Sequence, residues 1–365
     1  MEDTENKNPQ NTGGEINEPS AFNSALPNSD EKKEVETSAP KNENESKLSH
    51  DLQQIAQAVD KVKHEVGKVI VGQNHMLDLM IAGIFTGGHV LLEGVPGIAK
   101  TLTAKLLSQT LSVDFSRIQF TPDLMPADVV GTNVYNMKTG EFNFKGGPIF
   151  SNIVLIDEIN RAPAKTQSSL FEVMQERQIT IDGETYRLHF PFFVIATQNP
   201  IEQEGTYKLP EAQLDRFLFR IKLTYPTLEE EKIILKKFRG SSLEENSEEV
   251  KPVLSAEELL ACQKIINRIH IKDELIDYIA GLIAQTREDG ALFLGASPRA
   301  SLAIMNTSKA IAAMRGRDFV TPDDIKFIAP SVLNHRLILT PDKEMEGVEI
   351  ETVIEEILQK VEIPR

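Results

Sequence analysis

The residues best able to do chemistry lie in one stretch, Gly94-Val95-Pro96-Gly97-Ile98-Ala99-Lys100-Thr101. The apolar run His89-Val90-Leu91-Leu92 precedes it and Leu102-Thr103-Ala104-Lys105-Leu106-Leu107 follows it. That order is strand, glycine-containing loop, helix. Such a loop wraps a triphosphate with backbone N–H groups, and the helix behind it points its positive dipole end at the phosphates. Lys100 is placed to reach the β- and γ-phosphates, and the Thr101 hydroxyl to ligate Mg²⁺. The usual pattern has Gly immediately before the Lys, whereas this chain has Ala99. Ala carries no polar atom to block the phosphates, so the site survives if φ there is ordinary. A turn of this composition can also serve packing alone.

The partners that phosphate chemistry requires are found downstream. Asn152-Ile153-Val154-Leu155-Ile156 reads as a fully buried parallel strand that delivers Asp157 and Glu158 to its carboxyl end, where open α/β sheets bind ligands. Strand alternation sends the two acids to opposite sides. Asp157 then suits Mg²⁺ held through water, and Glu158 suits activation of an attacking water. A second buried strand, Phe192-Phe193-Val194-Ile195-Ala196, ends in Thr197-Gln198-Asn199-Pro200, and the Asn199 amide is placed to hold that water. Arg216, in Leu214-Asp215-Arg216-Phe217, sits where a helix gives way to a strand. An Arg that reaches transition-state charge in phosphoryl transfer is worth roughly 10³–10⁵ in rate. Ser297-Pro298-Arg299 sets a cation in the first turn of a helix, where the dipole disfavours it; an anionic partner, taken as a nucleotide phosphate, explains it. The plainer alternatives are a solvated acidic turn, a pre-proline turn residue at 199, an Asp–Arg surface pair at 216 and a surface arginine at 299.

The elements that must hold these residues alternate. A helical period begins at Leu52, with Ile55, Val59, Val62 and Val66 on one face. A second helix is expected over 74–86, leaving through Gly87-Gly88. Strands are expected at 89–93, 115–120, 152–156, 192–196 and 217–223, with helices over 101–111, 163–177 and 227–238. Segment 121–150 is rich in Pro and Gly, with a turn at Lys138-Thr139-Gly140-Glu141. Residues 179–186 alternate around Asp182-Gly183, a hairpin signal. The pattern predicts an α/β domain over 51–240 with a parallel sheet covered on both faces. Residues 239–255 read as a linker. Beyond them every periodic segment is helical, at about 255–267, 272–287, 298–314, 322–334 and 346–360, predicting a small all-helical C-terminal domain within 241–365.

Composition narrows the classes. The 365-residue chain carries a net charge of −16, which disfavours nucleic-acid binding that relies on phosphate neutralisation. Residues 1–50 are polar and acidic and are expected to be a disordered tail. No run is long and apolar enough to span a membrane, and the acidic N-terminus does not read as a secretory signal. The single cysteine, Cys262, excludes intrachain disulfides and cysteine-based metal clusters. The expected compartment is the cytoplasm.

Together these motifs resemble the MoxR family of AAA+ ATPases. The likeness is carried by Gly94 to Thr101, Gln119-Phe120-Thr121-Pro122-Asp123-Leu124-Met125-Pro126, Gly147-Pro148-Ile149-Phe150, Asp157-Glu158-Ile159-Asn160-Arg161-Ala162, Thr197-Gln198-Asn199-Pro200-Ile201-Glu202 and Glu211-Ala212-Gln213-Leu214-Asp215-Arg216-Phe217. It covers about Leu52 to Arg336, and in that family Ala before the lysine is tolerated. The resemblance implies a P-loop NTPase (AAA+) sheet with a helical lid, binding ATP and Mg²⁺. In it the loop Gly94, Val95, Pro96, Gly97, Ile98, Ala99, Lys100 and Thr101 holds nucleotide. Thr101 and Asp157 hold metal, Glu158 completes the Walker B pair, and Asn199 is the first sensor. Arg216 is the arginine finger and Arg299 the second sensor, with Val71-Gly72-Gln73 bordering the adenine. A finger acts on a neighbour's nucleotide, so the likeness also implies a homo-oligomeric ring, with a hexamer expected. Segments 121–150 and 179–190 would face the pore or a client. The resemblance further implies a chaperone-like motor that remodels partner complexes, often proteins with von Willebrand factor A domains. A nucleic-acid motor, a transcription-related regulator and a non-enzymatic scaffold are the competing readings.

Overall fold

The computed structural model describes residues 43–95, 97–200, 205–240 and 243–364, which fall within one compact unit, residues 42–365. Along the chain, α1 (Glu43–Gly67) and α2 (Asn74–Thr86) lead to β1 (Val90–Glu93), α3 (Lys100–Thr110) and β2 (Phe115–Gln119). The short α4 (Pro126–Val130) opens a hairpin of β3 (Gly131–Asn136) and β4 (Glu141–Gly146). Then come β5 (Ile153–Asp157), α5 (Ala164–Glu176), a second hairpin of β6 (Gln178–Ile181) and β7 (Glu184–Arg187), and β8 (Phe193–Gln198). The chain continues through α6 (Glu211–Leu214), β9 (Phe219–Lys222), α7 (Leu228–Lys237) and α8 (Leu243–Glu248). The helical part holds α9 (Ala256–Ile266), α10 (Asp273–Glu288), β10 (Leu292–Leu294), α11 (Pro298–Met314), α12 (Pro322–Leu333), β11 (Ile338–Leu339), α13 (Pro341–Met345) and α14 (Ile350–Lys360).

Five strands form one parallel sheet in the order β2-β5-β8-β1-β9. Its two faces follow from alternation. Val90, Leu92, Ile153, Leu155, Phe193 and Ile195 join the core beneath α1, α2 and α3. Leu91, Val154, Ile156, Val194 and Ala196 join the core beneath α5. Apolar side chains on both faces are why β5 and β8 read as continuous apolar runs. The helical part packs onto this layer rather than standing apart: α11 lies on α2 and α12 on β9. At the end of α12, Asn334 Nδ2 donates to Arg220 O at 3.1 Å and Arg336 Nη2 to Phe217 O at 2.7 Å.

Several expectations change. Residues 43–50, placed in the tail, are the first turns of α1, because Leu48 extends the apolar stripe and packs against the core; residues 1–42 lie outside the described residues. The helix expected over 346–360 starts at Ile350, since Gly347 at φ 74° ends the preceding short helix. Segment 121–150 contains a hairpin in full pairing from Gly131–Gly146 to Asn136–Glu141, beyond the single turn read there. The Asp182-Gly183 hairpin forms with both residues at positive φ, 51° and 88°, the two-residue turn that matches strand twist. Gly87 caps α2 in the left-handed region. Among the described residues no helix is long and apolar enough to cross a membrane.

His89, at the start of the apolar run, ties three elements. Its Nδ1 accepts from Val194 N–H at 3.0 Å, so Nε2 carries the proton towards Met174 O at 3.1 Å. Burial lowers its pKa from 6.5 to about 4. The neutral ring is the native form, so its contribution to stability is whole above pH 6.5 and is lost as pH falls towards 4. That span corresponds to about 3 kcal/mol. Urea unfolding across this range should show stability falling with acidity in the wild type and a flatter dependence in His89→Gln. An unchanged slope would assign the acid sensitivity elsewhere, with buried His335 the next candidate.

Candidate active site

The phosphate-type loop starts where β1 ends. Gly97 sits at φ 86° with open space where a Cβ would stand, a backbone state that favours Gly. Ala99 caps α3 at φ 60°, ψ 23°. The condition of an ordinary φ at Ala99 is therefore not met. The loop needs a left-handed residue to turn into the helix, and Ala takes that role at a penalty of about 1–2 kcal/mol. Lys100 is the first residue of α3, and its Nζ donates to Gly94 O at 2.7 Å, folding the side chain back over the loop. Burial lowers the Lys100 pKa, opposed by the negative charges of Asp157, Glu158 and Glu93. Pro96 lies outside the described residues.

The two acids are separated by a backbone turn. Asp157 is the last residue of β5, whereas Glu158 lies beyond the strand in the left-handed region at φ 58°. Strand alternation is thus not what sends them to different places. Asp157 Oδ1 accepts from Thr197 Oγ1 at 3.1 Å, and the same hydroxyl accepts from the Glu158 N–H at 3.1 Å. Asp157 Oδ2 accepts from Thr101 Oγ1 at 3.4 Å and from Arg117 Nε at 2.7 Å. Glu158 Oε2 accepts from Gln119 Nε2 at 3.0 Å and lies 2.9 Å from Arg161 Nε. Arg117 and Gln119 stand two residues apart on β2, so they share one face of the sheet, where they reach the carboxylates of Asp157 and Glu158.

These groups line one cavity of about 590 Å³, within the usual range for small-ligand sites. One end holds Gly97 to Thr101, Asp157, Glu158, Thr197 and Asn199. The other is mainly apolar, with Val69, Ile70, Val71, Pro226, Ile234 and Phe238, and Gln73 among them. A flat base suits the apolar end, and a polyphosphate suits the end with Lys100. Thr101 and Asp157 offer a hydroxyl and a carboxylate within hydrogen-bond reach of each other, a hard-oxygen pair that fits Mg²⁺ with its remaining positions filled by water and phosphate. When bound, that ion would neutralise charge on the transferring phosphoryl group.

The structure brings Lys100, Thr101, Asp157, Glu158 and Asn199 to this cavity together with Val71 and Gln73, as read from the sequence. Arg216 and Arg299 do not line it. Arg216 Nη1 donates to Phe171 O at 2.8 Å. Arg299 has an anionic partner within the chain, Asp215 Oδ2 at 3.4 Å, and its side chain is 68% exposed. Asp215 also accepts from Arg336 Nε at 2.7 Å, so one carboxylate binds two elements of the helical part beside Arg216. Arg117, Ile234 and Phe238 were missed as lining residues from the sequence, and Gln119 and Thr197 were quoted only within motifs. The usable signals were the polar pair at i, i+2 in a strand and the apolar pair at i, i+4 on α7.

A glycine-containing loop of the phosphate-binding type between β1 and α3, an acid pair at the carboxyl end of β5, which β8 separates from β1, and a packed helical lid define a P-loop ATPase of the AAA+ class. Residues 89–219 match the family model for the ATPase family associated with various cellular activities (AAA), and 284–357 match the AAA lid domain. The chain is 44% identical over 316 residues to chaperone MoxR1 of Mycobacterium tuberculosis, covering 84% of this chain and 82% of that protein. It is 45% identical over 307 residues to the uncharacterized protein YeaC of Bacillus subtilis, covering 83% and 94%. The crystal structure of a candidate ATPase from Cytophaga hutchinsonii superposes with a TM-score of 0.80 at 44% identity, covering 88% of this chain and 99% of that one. The chain belongs to the MoxR family of AAA+ ATPases.

Proposed function

We propose that this protein hydrolyses ATP with Mg²⁺ and uses the cycle to remodel or mature partner protein complexes. The observation that carries the reading is the convergence of Lys100, Thr101, Asp157 and Glu158 on one cavity with an apolar end for the base. In this reading Lys100 and the loop N–H groups bind the phosphates, Thr101 and Asp157 hold the metal, and Glu158 takes a proton from the attacking water while Asn199 positions it. Arg216 acts as the finger on a neighbouring subunit's nucleotide, and Arg299 leaves Asp215 to read nucleotide through the lid. The assembly is a homo-oligomeric ring, taken as a hexamer, working in the cytoplasm. Exposed Met137, Tyr135 and Phe142 on the β3–β4 hairpin give the ring an apolar face for a client, proposed to be a partner carrying a von Willebrand factor A domain. The domain boundaries proposed are 51–240 for the nucleotide core and 241–365 for the lid.

The direct test is ATP turnover per subunit against protein concentration. A steep rise with concentration supports sites completed between subunits. Turnover that is independent of concentration describes a self-contained site and removes the ring from the reading.

A further inference from the structure

The most specific contact in the cavity that the proposed chemistry leaves unused is Arg117 on Asp157. Arg117 Nε donates to Asp157 Oδ2 at 2.7 Å, the shortest hydrogen bond that carboxylate makes. The two oxygens of a carboxylate offer about four acceptor positions. Thr197 takes one on Oδ1, and Thr101 and Arg117 take two on Oδ2. Both acceptor positions of Oδ2, the oxygen that Thr101 reaches, are therefore taken, and a metal held by the Thr101 hydroxyl together with this carboxylate would need one of them. A water carried by Mg²⁺ needs one as well.

The two partners differ in freedom. The Asp157 side chain is 10% exposed and fixed by Thr197, whereas the Arg117 side chain is 52% exposed and comes from the edge strand β2. The carboxylate cannot turn away, but the guanidinium can. We propose that Arg117 is a positioning residue that occupies the metal-facing oxygen of Asp157 and must be displaced for Mg²⁺ to bind with nucleotide. This inference rests on the nucleotide-site reading above. Arg117 acts as a built-in cation that keeps the buried carboxylate paired and sets a threshold for metal.

The test is an Mg²⁺ titration of the full chain at a fixed concentration of a fluorescent ATP analogue, reading bound nucleotide rather than turnover. In Arg117→Gln the half-saturating Mg²⁺ concentration should fall by roughly fivefold, the upper range for removing a partly exposed ion-pair partner. Arg161→Gln is the control, because it removes one positive charge from the neighbouring Glu158 and leaves Asp157 untouched. There the midpoint should move less than about twofold. A midpoint in Arg117→Gln that is unchanged or raised overturns the competition, as does an equal fall in both variants, which would mean a general charge effect. A wild-type protein that binds no nucleotide at any Mg²⁺ concentration overturns the nucleotide-site reading itself, and is told apart by that first control.

Discussion

Glu158→Gln should bind the ATP analogue within about threefold of wild type and hydrolyse ATP some 10²- to 10⁴-fold more slowly, the range for loss of a general base. The substitution is nearly isosteric. Its amide oxygen can still accept from Gln119 Nε2, and the Glu158 N–H that holds the turn on Thr197 is backbone. The side chain is partly exposed, so an uncharged amide there leaves no buried charge unpaired, and the fold should stand. What is lost is the carboxylate that the proposed chemistry assigns to the attacking water. Lys100→Ala provides the contrast: it removes the cation over the loop and should lose nucleotide binding itself. Steady-state turnover beside equilibrium binding separates the two. Glu158→Gln at wild-type turnover would take the carboxylate out of the chemistry and return Asp157-Glu158 to a structural turn.

The parts of this site that could be read from sequence were those whose role depends on neighbours along the chain. A run such as Ile153 to Ile156 must be buried on both faces, and whatever polar residue ends it emerges at the sheet's carboxyl edge. That logic placed Asp157, Glu158 and Asn199 at the cavity. The Asp182-Gly183 turn and the Gly87 cap are equally local. Arg117 and Gln119 were not legible in the same way, because their partners are set by strand register. Gln119 lies opposite Asp157 only through the β2–β5 pairing, and no local pattern fixes which strand becomes the neighbour. Ala99 shows another limit: its side chain says nothing against an ordinary φ, and only closure of the loop onto α3 forces the left-handed state. The β3–β4 hairpin was underread because β3, Gly131–Asn136, shows no apolar alternation to match that of Phe142 and Phe144 on β4, and many residues of both strands face solvent, among them Thr132, Phe142 and Lys145.

The position of Arg216 leads to the second large effect. Its guanidinium donates to Phe171 O and does not line the cavity of its own chain. The backbone beside it is firmly held: Phe217 O accepts from Arg336 Nη2 at 2.7 Å and from His335 Nε2 at 3.0 Å, and Asp215 pairs with Arg336 and Arg299. A cation mounted on so fixed a support, outside its own site, can serve hydrolysis only across an interface between copies. Arg216→Ala should therefore keep nucleotide binding and lose roughly 10³-fold or more in turnover. The decisive form of the experiment mixes it with Glu158→Gln. Each variant alone should be inactive, yet in a head-to-tail ring a subunit with intact Glu158 can sit beside one with intact Arg216. Random mixing in equal amounts makes such interfaces about a quarter of the total, so turnover should recover to about a quarter of wild type. Recovery cannot arise if Arg216 works within its own subunit, because every chain in the mixture then lacks one of the two groups. A mixture that forms rings and stays silent would place Arg216 in the structural junction with Asp215 and Arg336, and the source of the transition-state cation would have to be sought among the groups already in the cavity, Lys100 and Arg117.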